Sequence, residues 1–291
     1  MPLHLNLLLF IKKRYHVKNS LFVMFSLIPF ICFSQQILDT ANLKCHYQYI
    51  WLNDTLEGKE RDDLLILQIG NNISKCYSHY SNQVDSINAS PDGNRKIGKM
   101  IDNAIKSGEF FKGNYPHKRL KAYIYKNYPE GEMTVTDGLS LQDYVYEDDL
   151  HSQDWEIMDS LKVILDYQCQ KAICYFRGRE WTAWFSPDIP VSDGPWKFSG
   201  LPGLIMEAYD NGKKHHFNII GLEKTEEPII FSETYVGSRK FDKTNRIEFL
   251  KAQKRYLMNI NGYIEMETGI DLSGGQPAKI MRYDLIEKDY R

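Results

Sequence analysis

Apolar and polar residues alternate along most of the chain, and a period of two predicts strands. Residues 42–52 (NLKCHYQYIWL) and 62–69 (DDLLILQI) follow it across a polar turn from Asn53 to Arg61, and Cys76 to Tyr80 reads as a third strand. From Asp85 to Asn94 the composition shifts to Ser, Asn, Asp, Pro and Gly, which predicts a loop. Ile97, Met100, Ile101, Ala104 and Ile105 then recur at helical spacing, so 96–106 is expected as a short helix ending at Gly108. Strands resume at 119–127 and 132–136 around the turn Pro129-Glu130-Gly131. Further strands are expected at 143–147, 154–165, 168–176, 180–186, 203–210 and 214–222. Asn211-Gly212 between two such runs is a strong hairpin signal. A long helix is expected over 242–259, capped by Asp242 or Thr244, with Ile247, Leu250, Lys254, Leu257 and Met258 on one face and Asn261-Gly262 at its end.

Composition adds a compartment and removes some functions. Lys plus Arg is 36 against 38 Asp plus Glu, a net charge of −2, without the basic surplus of a general nucleic-acid binder. Tyr is abundant at 19, beside 14 Phe and 5 Trp, which suits strands or a binding surface. At the start, Lys12, Lys13, Arg14 and Lys18 precede the apolar run Leu21 to Phe33, with no acidic residue before Asp39. That layout predicts a signal peptide over residues 1–34, cleaved after Ser34, and a single domain over 35–291. A start near Val17 would give a conventional signal. The run is too short to span a bilayer, and Ile31 stands before Cys32 where lipoprotein processing needs a small residue. The protein is therefore expected to be exported, in the periplasm or outside or on the outer membrane, without a clear lipoprotein signature and with no transmembrane segment in the mature chain.

Cys45, Cys76, Cys169 and Cys174 remain after cleavage, and an even number in an exported chain makes them disulfide candidates with three connectivities, or else four buried thiols. No Cys-x-x-Cys spacing suggests zinc. Gly93 to Lys99 (GNRKIGK) has phosphate-loop spacing, but Met100 stands where a hydroxyl is required. His215 and His216 are adjacent, and on a strand they face opposite ways. His46, His79, His117 and His151 are scattered, and neither H-E-x-x-H nor G-x-S-x-G occurs. Glu147-Asp148-Asp149 reads as a solvated loop. No catalytic residue, cofactor or metal follows from these patterns.

Residues 179–210 (REWTAWFSPDIPVSDGPWKFSGLPGLIMEAYD) hold the densest backbone instruction. Gly194-Pro195 and Gly200-Leu201-Pro202-Gly203 specify one loop conformation, with Trp181, Trp184 and Trp196 around it. Two readings stay open: a rigid reversal whose tryptophans cap the core, or a preformed aromatic lip on a binding cleft. Gly200 to Ile205 spells GLPGLI, and here the chain resembles the GLPGLI family of exported Bacteroidota proteins. The resemblance extends over Cys169 to Ala172, Arg177-Gly178-Arg179, Trp181 to Trp184, Asp188-Ile189-Pro190, Gly194 to Phe198, Tyr125 to Pro129 and the Tyr283 to Glu287 tail. It implies one family domain over about 40–290 and no established activity. The strand-rich layout is also similar to the half-barrels of periplasmic lipoprotein carriers. The expected fold is mainly β with minor α: a single antiparallel, strongly curved sheet or open half-barrel with one long C-terminal helix. The expected function is a non-enzymatic binding or accessory protein with an apolar or peptidic ligand, using Trp181, Trp184, Trp196 and Gly200 to Gly203. It would serve an outer-membrane uptake or envelope system, partnered by an outer-membrane protein. The alternatives are a secreted glycan or peptide hydrolase using Glu180, Asp188 or Asp193, and a structural subunit presenting an apolar patch or sheet edge to a partner.

Overall fold

The computed structural model describes residues 35–232, 240–269 and 282–290. The signal peptide expected over 1–34 lies outside them. The chain order is β1 (Gln35–Thr40), β2 (Leu43–Asp54), β3 (Lys59–Ile69), β4 (Ser74–Ser78), α1 (His79–Ala89), α2 (Gly93–Lys106), a 3-10 turn (Phe110–Lys112), β5 (Tyr123–Lys126), β6 (Glu132–Leu139) and β7 (Gln142–Asp149). It continues through β8 (Glu156–Ile164), β9 (Tyr167–Phe176), β10 (Arg179–Ser186), β11 (Leu204–Asp210), β12 (His215–Lys224), β13 (Pro228–Ser232), β14 (Asp242–Lys243), α3 (Arg246–Met258) and α4 (Ile260–Thr268).

Among the described residues there are two sheets, not one. Twelve strands pair in the order β14-β7-β6-β5-β4-β3-β2-β12-β11-β10-β9-β8, antiparallel except where β14 joins β7, and β1 pairs with β13 as a separate ribbon. No barrel is closed: the large sheet ends at β8, an edge with Ile157, Leu161 and Val163 exposed. The single long C-terminal helix also fails. Asp242–Lys243 is a strand, the helix begins at Arg246 with Asn245 as its cap, and Asn259 leaves helical geometry (φ −152°, ψ 69°) before α4. Phe249 and Leu250 face inward, whereas Met258, expected on the apolar face, is exposed. The stretch read as a loop at 85–94 instead carries the end of α1, which Ser78 caps through its Oγ, and a tight corner into α2. At that corner a Cβ on Gly93 would lie 2.2 Å from the Ile87 carbonyl oxygen, so only glycine fits.

Turn chemistry fixes the hairpins. Arg177-Gly178 (φ 53° and 77°) and Leu165-Asp166 (φ 48° and 66°) are two-residue links with both residues left-handed, the geometry that matches strand twist. Asn211-Gly212 lies in the β11–β12 turn as expected.

The Gly/Pro segment 187–203 forms the centre of the core. Tyr47 on β2 donates to the Ile205 carbonyl at 2.8 Å, the Trp196 amide donates to Cys76 Sγ on β4 at 3.3 Å, and Lys126 on β5 reaches Asp193, Gly194 and Phe198. In strand order β5 and β10 stand six places apart, about 29 Å in a flat sheet at ~4.8 Å per strand. One loop leaving β10 touches both, so the sheet curls round it. The tail 282–290 closes the rest: Thr55 donates to the Arg282 carbonyl, Arg179 donates to the carbonyls of Leu285 and Ile286, and Lys288 donates to that of Arg177.

Candidate functional site

The residues singled out in the Gly/Pro segment do not gather at a cleft. Trp181 and Trp196 are buried, their rings 5.8 Å apart and each packed edge-on to Phe198, and the indole N–H of Trp181 donates to the Phe176 carbonyl. Trp184 lies on the other face of β10, where Lys162 sits 4.4 Å from its ring. Leu201 and Gly203 are buried, while Gly200 and Pro202 reach solvent. A Cβ on Gly203 would come within 2.2 Å of the Ser186 carbonyl oxygen, which is why the loop needs glycine at that position.

The charges of the segment are equally internal. Lys197 is 1% exposed and donates to Asp148 at 2.8 Å and Glu287 at 2.5 Å. Arg177 and Arg246 pair with the same two carboxylates. Asp148, read as part of a solvated loop, is thus a buried counter-ion on β7. The three carboxylates proposed for hydrolysis diverge: Glu180 and Asp188 are exposed, and Asp193 is bound to Lys126 at 2.5 Å.

Cys45, Cys76, Cys169 and Cys174 are free and buried, so these disulfide candidates are unpaired. Cys45 and Cys76 flank Leu67 on β3, two strand spacings or about 9.6 Å apart, and a disulfide needs Cα atoms within about 7 Å. Cys169 and Cys174 stand five residues apart on one strand, about 16 Å. Burial pushes the Cys76 thiol up to about 11 and that of Cys174 to about 12, which leaves them poor nucleophiles. The histidines separate as expected. His215 is buried, with Nδ1 2.7 Å from the Tyr49 hydroxyl and Nε2 3.0 Å from the Asp284 carbonyl, whereas His216 meets Glu207 at 2.8 Å. Because a carbonyl only accepts, Nε2 carries a proton, and burial pushes the ring down to about 3, which favours the neutral form. Among the described residues no cluster of three or more His, Cys, Asp or Glu could hold a metal, and no helix is long and apolar enough to cross a membrane.

The cleft lies on the opposite face of the sheet. Cys76 and Ile124 point into the core, so period two sends Lys75, Tyr77, Tyr123 and Tyr125 the other way. Register places Tyr77 opposite Tyr123 and Lys75 opposite Tyr125. α1 and β13 rise on either side, and the enclosed volume is about 640 Å³, within the range of small-molecule sites. The Tyr77 and Tyr123 rings stack at 5.8 Å, and Tyr123 donates to Asp85 on α1 at 2.6 Å. Lys118 pairs with Asp85 as well. At one end Gln68 donates to Glu227 at 2.8 Å; at the other stand Lys121, Asp137 and Asp143.

Burial raises all three cleft tyrosines above their ordinary value, and it shifts Lys75 and Asp137 as well. The Lys75 ammonium is 5.1 to 5.3 Å from the centroids of Tyr77, Tyr123 and Tyr125 and donates to the Ile230 carbonyl at 3.0 Å. Burial lowers it to about 8, only partly opposed by Asp85. Burial likewise lifts the Asp137 carboxyl to about 6, against the Gly138 amide that donates to it. An aromatic floor, amide and carboxylate walls and a desolvated amine suit a flat, amphiphilic guest. Sequence reasoning passed over this site because its tyrosines look like ordinary strand residues and its roof, α1, has the composition of a loop. The available signal was the repeated spacing Lys75-x-Tyr77 and Tyr123-x-Tyr125 on consecutive strands.

In comparison with known proteins, no curated protein matches. Two solved structures of PNGF-II are similar at 13% identity: in the C2 crystal form over 75% of this chain (TM-score 0.47), and in the P21 form over 72% (TM-score 0.48). The matched region spans 32% of each of those chains. Residues 175–207, from the end of β9 through the Gly/Pro segment, match a family model described as a protein of unknown function (Porph_ging), so the segment behind the GLPGLI resemblance is similar to a family under that other name.

Proposed function

We propose that this chain is an exported, non-enzymatic binding protein whose ligand sits in the tyrosine-floored cleft between α1 and β13. The observation that carries the reading is a concavity of about 640 Å³ whose floor is built from outward-facing Lys75, Tyr77, Tyr123 and Tyr125. Outward tyrosines on a solvated sheet would bury little; here α1 and the β13 ribbon enclose them. The ligand is small and amphiphilic, with a flat face for the rings and polar groups for Gln68, Asn82, Asp85 and Thr136. The tryptophan-bearing segment serves as scaffold.

The test is native mass spectrometry of protein recovered from a bacterial periplasm after expression of the full chain. Saturation-transfer NMR with small aromatic alcohols and amides accompanies it. Ser86 lines the cleft from the exposed side of α1, so Ser86→Trp fills the entrance without entering the core. The reading expects an adduct or NMR transfer in the wild type and its loss in Ser86→Trp. Binding that survives this substitution, or that is lost on Trp184→Ala instead, would refute it.

A further inference from the structure

Lys75 is 9% exposed and lines the cleft, and among the described residues no carboxylate lies within ion-pair distance of its amine. Among the described residues its hydrogen-bond acceptor is the Ile230 carbonyl, and three tyrosine rings surround it. Burying an ammonium that no described carboxylate contacts is costly, and the deprotonated amine is correspondingly favoured, with Asp85 opposing this only from a distance. An anionic guest would supply the missing charge, but Asp85, Asp137, Asp143 and Glu227 line the same cavity, with Lys121 as the other lysine. Carboxylates outnumber lysines there and repel an anion. The amine is better suited to an electrophile that carries no charge.

We infer that Lys75 is a nucleophilic amine that captures the cleft's ligand through an aldehyde or ketone group, as a reversible imine. The inference rests on the cleft being the ligand site and adds the ligand's chemical class. The nitrogen lone pair attacks the carbonyl carbon; a C–N bond forms while the carbonyl π electrons move to oxygen, which takes up a proton as the nitrogen gives one up. The carbinolamine hydroxyl then accepts a second proton from solvent and leaves as water while the nitrogen lone pair forms the C=N bond, and the nitrogen releases its remaining proton to solvent. No electrons are transferred, and water is the only by-product.

The experiment treats the full-length expressed protein with benzaldehyde and sodium cyanoborohydride at pH 7, then maps benzylated lysines by peptide mass spectrometry. An amine titrating near 8 has about 200-fold more free base at pH 7 than an ordinary lysine. Lys75 is therefore expected to label at least about tenfold faster than any other lysine, with a rate that levels off above pH 8. Ser86→Trp should abolish labelling at Lys75 and spare the exposed lysines. Lys75→Met should remove the fast-labelled site and leave the melting temperature near that of the wild type. Labelling at Lys75 no faster than at the surface, or unaffected by Ser86→Trp, overturns the inference. Benzyl alcohol, which cannot form an imine, separates the two failures. If it binds in a Ser86→Trp-sensitive way while Lys75 stays unlabelled, the binding site stands and the imine falls; if neither occurs, both fall.

Discussion

Replacing Lys126 by methionine removes the ammonium that holds the Gly/Pro segment in the core while nearly preserving side-chain volume. In the folded protein Lys126 Nζ donates to Asp193 Oδ1 at 2.5 Å, the Gly194 carbonyl at 2.6 Å and the Phe198 carbonyl at 2.8 Å, and the residue is 2% exposed. Methionine leaves all three acceptors without that donor. Breaking a buried ion pair from one side costs about 3–5 kcal/mol. Asp193 keeps the Gly194 amide as a donor at 2.7 Å and has some access to solvent, which favours the lower half of that range, about 3–4 kcal/mol. For a domain of this size each kcal/mol lowers Tm by about 2–4 °C, so a fall of roughly 6–16 °C is expected. Thermal melts by circular dichroism, with urea titrations followed by tryptophan fluorescence, measure it. Lys126→Arg should recover only part of the loss, because a planar fork does not fit three acceptors set around one point. Asp193→Asn in the Lys126→Met background should cost less than in the wild type, with a coupling of about 1.5 kcal/mol or more. A Tm within about 2 °C of the wild type for Lys126→Met, a change below about 1 kcal/mol, would refute the view that this amine anchors the segment.

Gly203→Ala drives a methyl into the Ser186 carbonyl and should destabilise by several kcal/mol, whereas Gly212→Ala, with open space around it, should be limited to the cost of its positive φ, about 1 kcal/mol; paired urea titrations compare them. His215 is pushed down to about 3 by burial, with Arg179 adding to the effect. The unfolded chain takes up a proton near pH 6.5 that the folded chain refuses, so stability is full above that pH and falls as pH drops toward 3, by up to about 1.4 kcal/mol per unit. His215→Gln should flatten the slope between about pH 6.5 and 5.5, above the ordinary carboxylate range, and an unchanged slope would reject the assignment. Cys45, Cys76, Cys169 and Cys174 should all react with a maleimide in denaturant and scarcely at all in the folded state; intact mass without reduction should show no loss of hydrogen. Val163→Lys on the open edge β8 should lower aggregation, measured by light scattering, without moving Tm.

The strands were largely legible because one face of each meets the core. Alternation at Cys45, Tyr47 and Tyr49 on β2, or at Trp181, Ala183 and Phe185 on β10, is the direct imprint of burial on a period of two. α1 is illegible because half of it roofs a polar cleft; Asn82, Asp85, Ser86 and Asn88 line that cleft, and only Ser81 and Val84 are buried. β1 and β13 were missed since each depends on the other across almost 200 residues of sequence, a pairing no local window contains. The helix expected over 242–259 ends within one residue of that bound, at Met258, but begins only at Arg246 because Asn245 caps it rather than Asp242 or Thr244, and Asn261-Gly262, expected as its stop, lies inside α4. At the Gly/Pro segment the demand for special backbone was readable, but not its direction: inward packing of Trp196 and Lys197 depends on Tyr146, Asp148 and Glu287, which arrive from elsewhere in the chain. The cleft is hidden from the sequence because its defining property, a buried amine ringed by three tyrosines, is a relation between two strands.

The tail from 282 to 290 also sets an order of events. Arg179 and Lys197 find part of their counter-charge only in Asp284 and Glu287, about 90 to 105 positions later, and Thr55 waits for Arg282 across more than 220. Until those residues have joined, Arg179 and Lys197 have only Asp210 and Asp148 as counter-ions and the curled sheet is unlatched at one end. Such a chain closes late, with large loop entropy committed before the final contacts repay it.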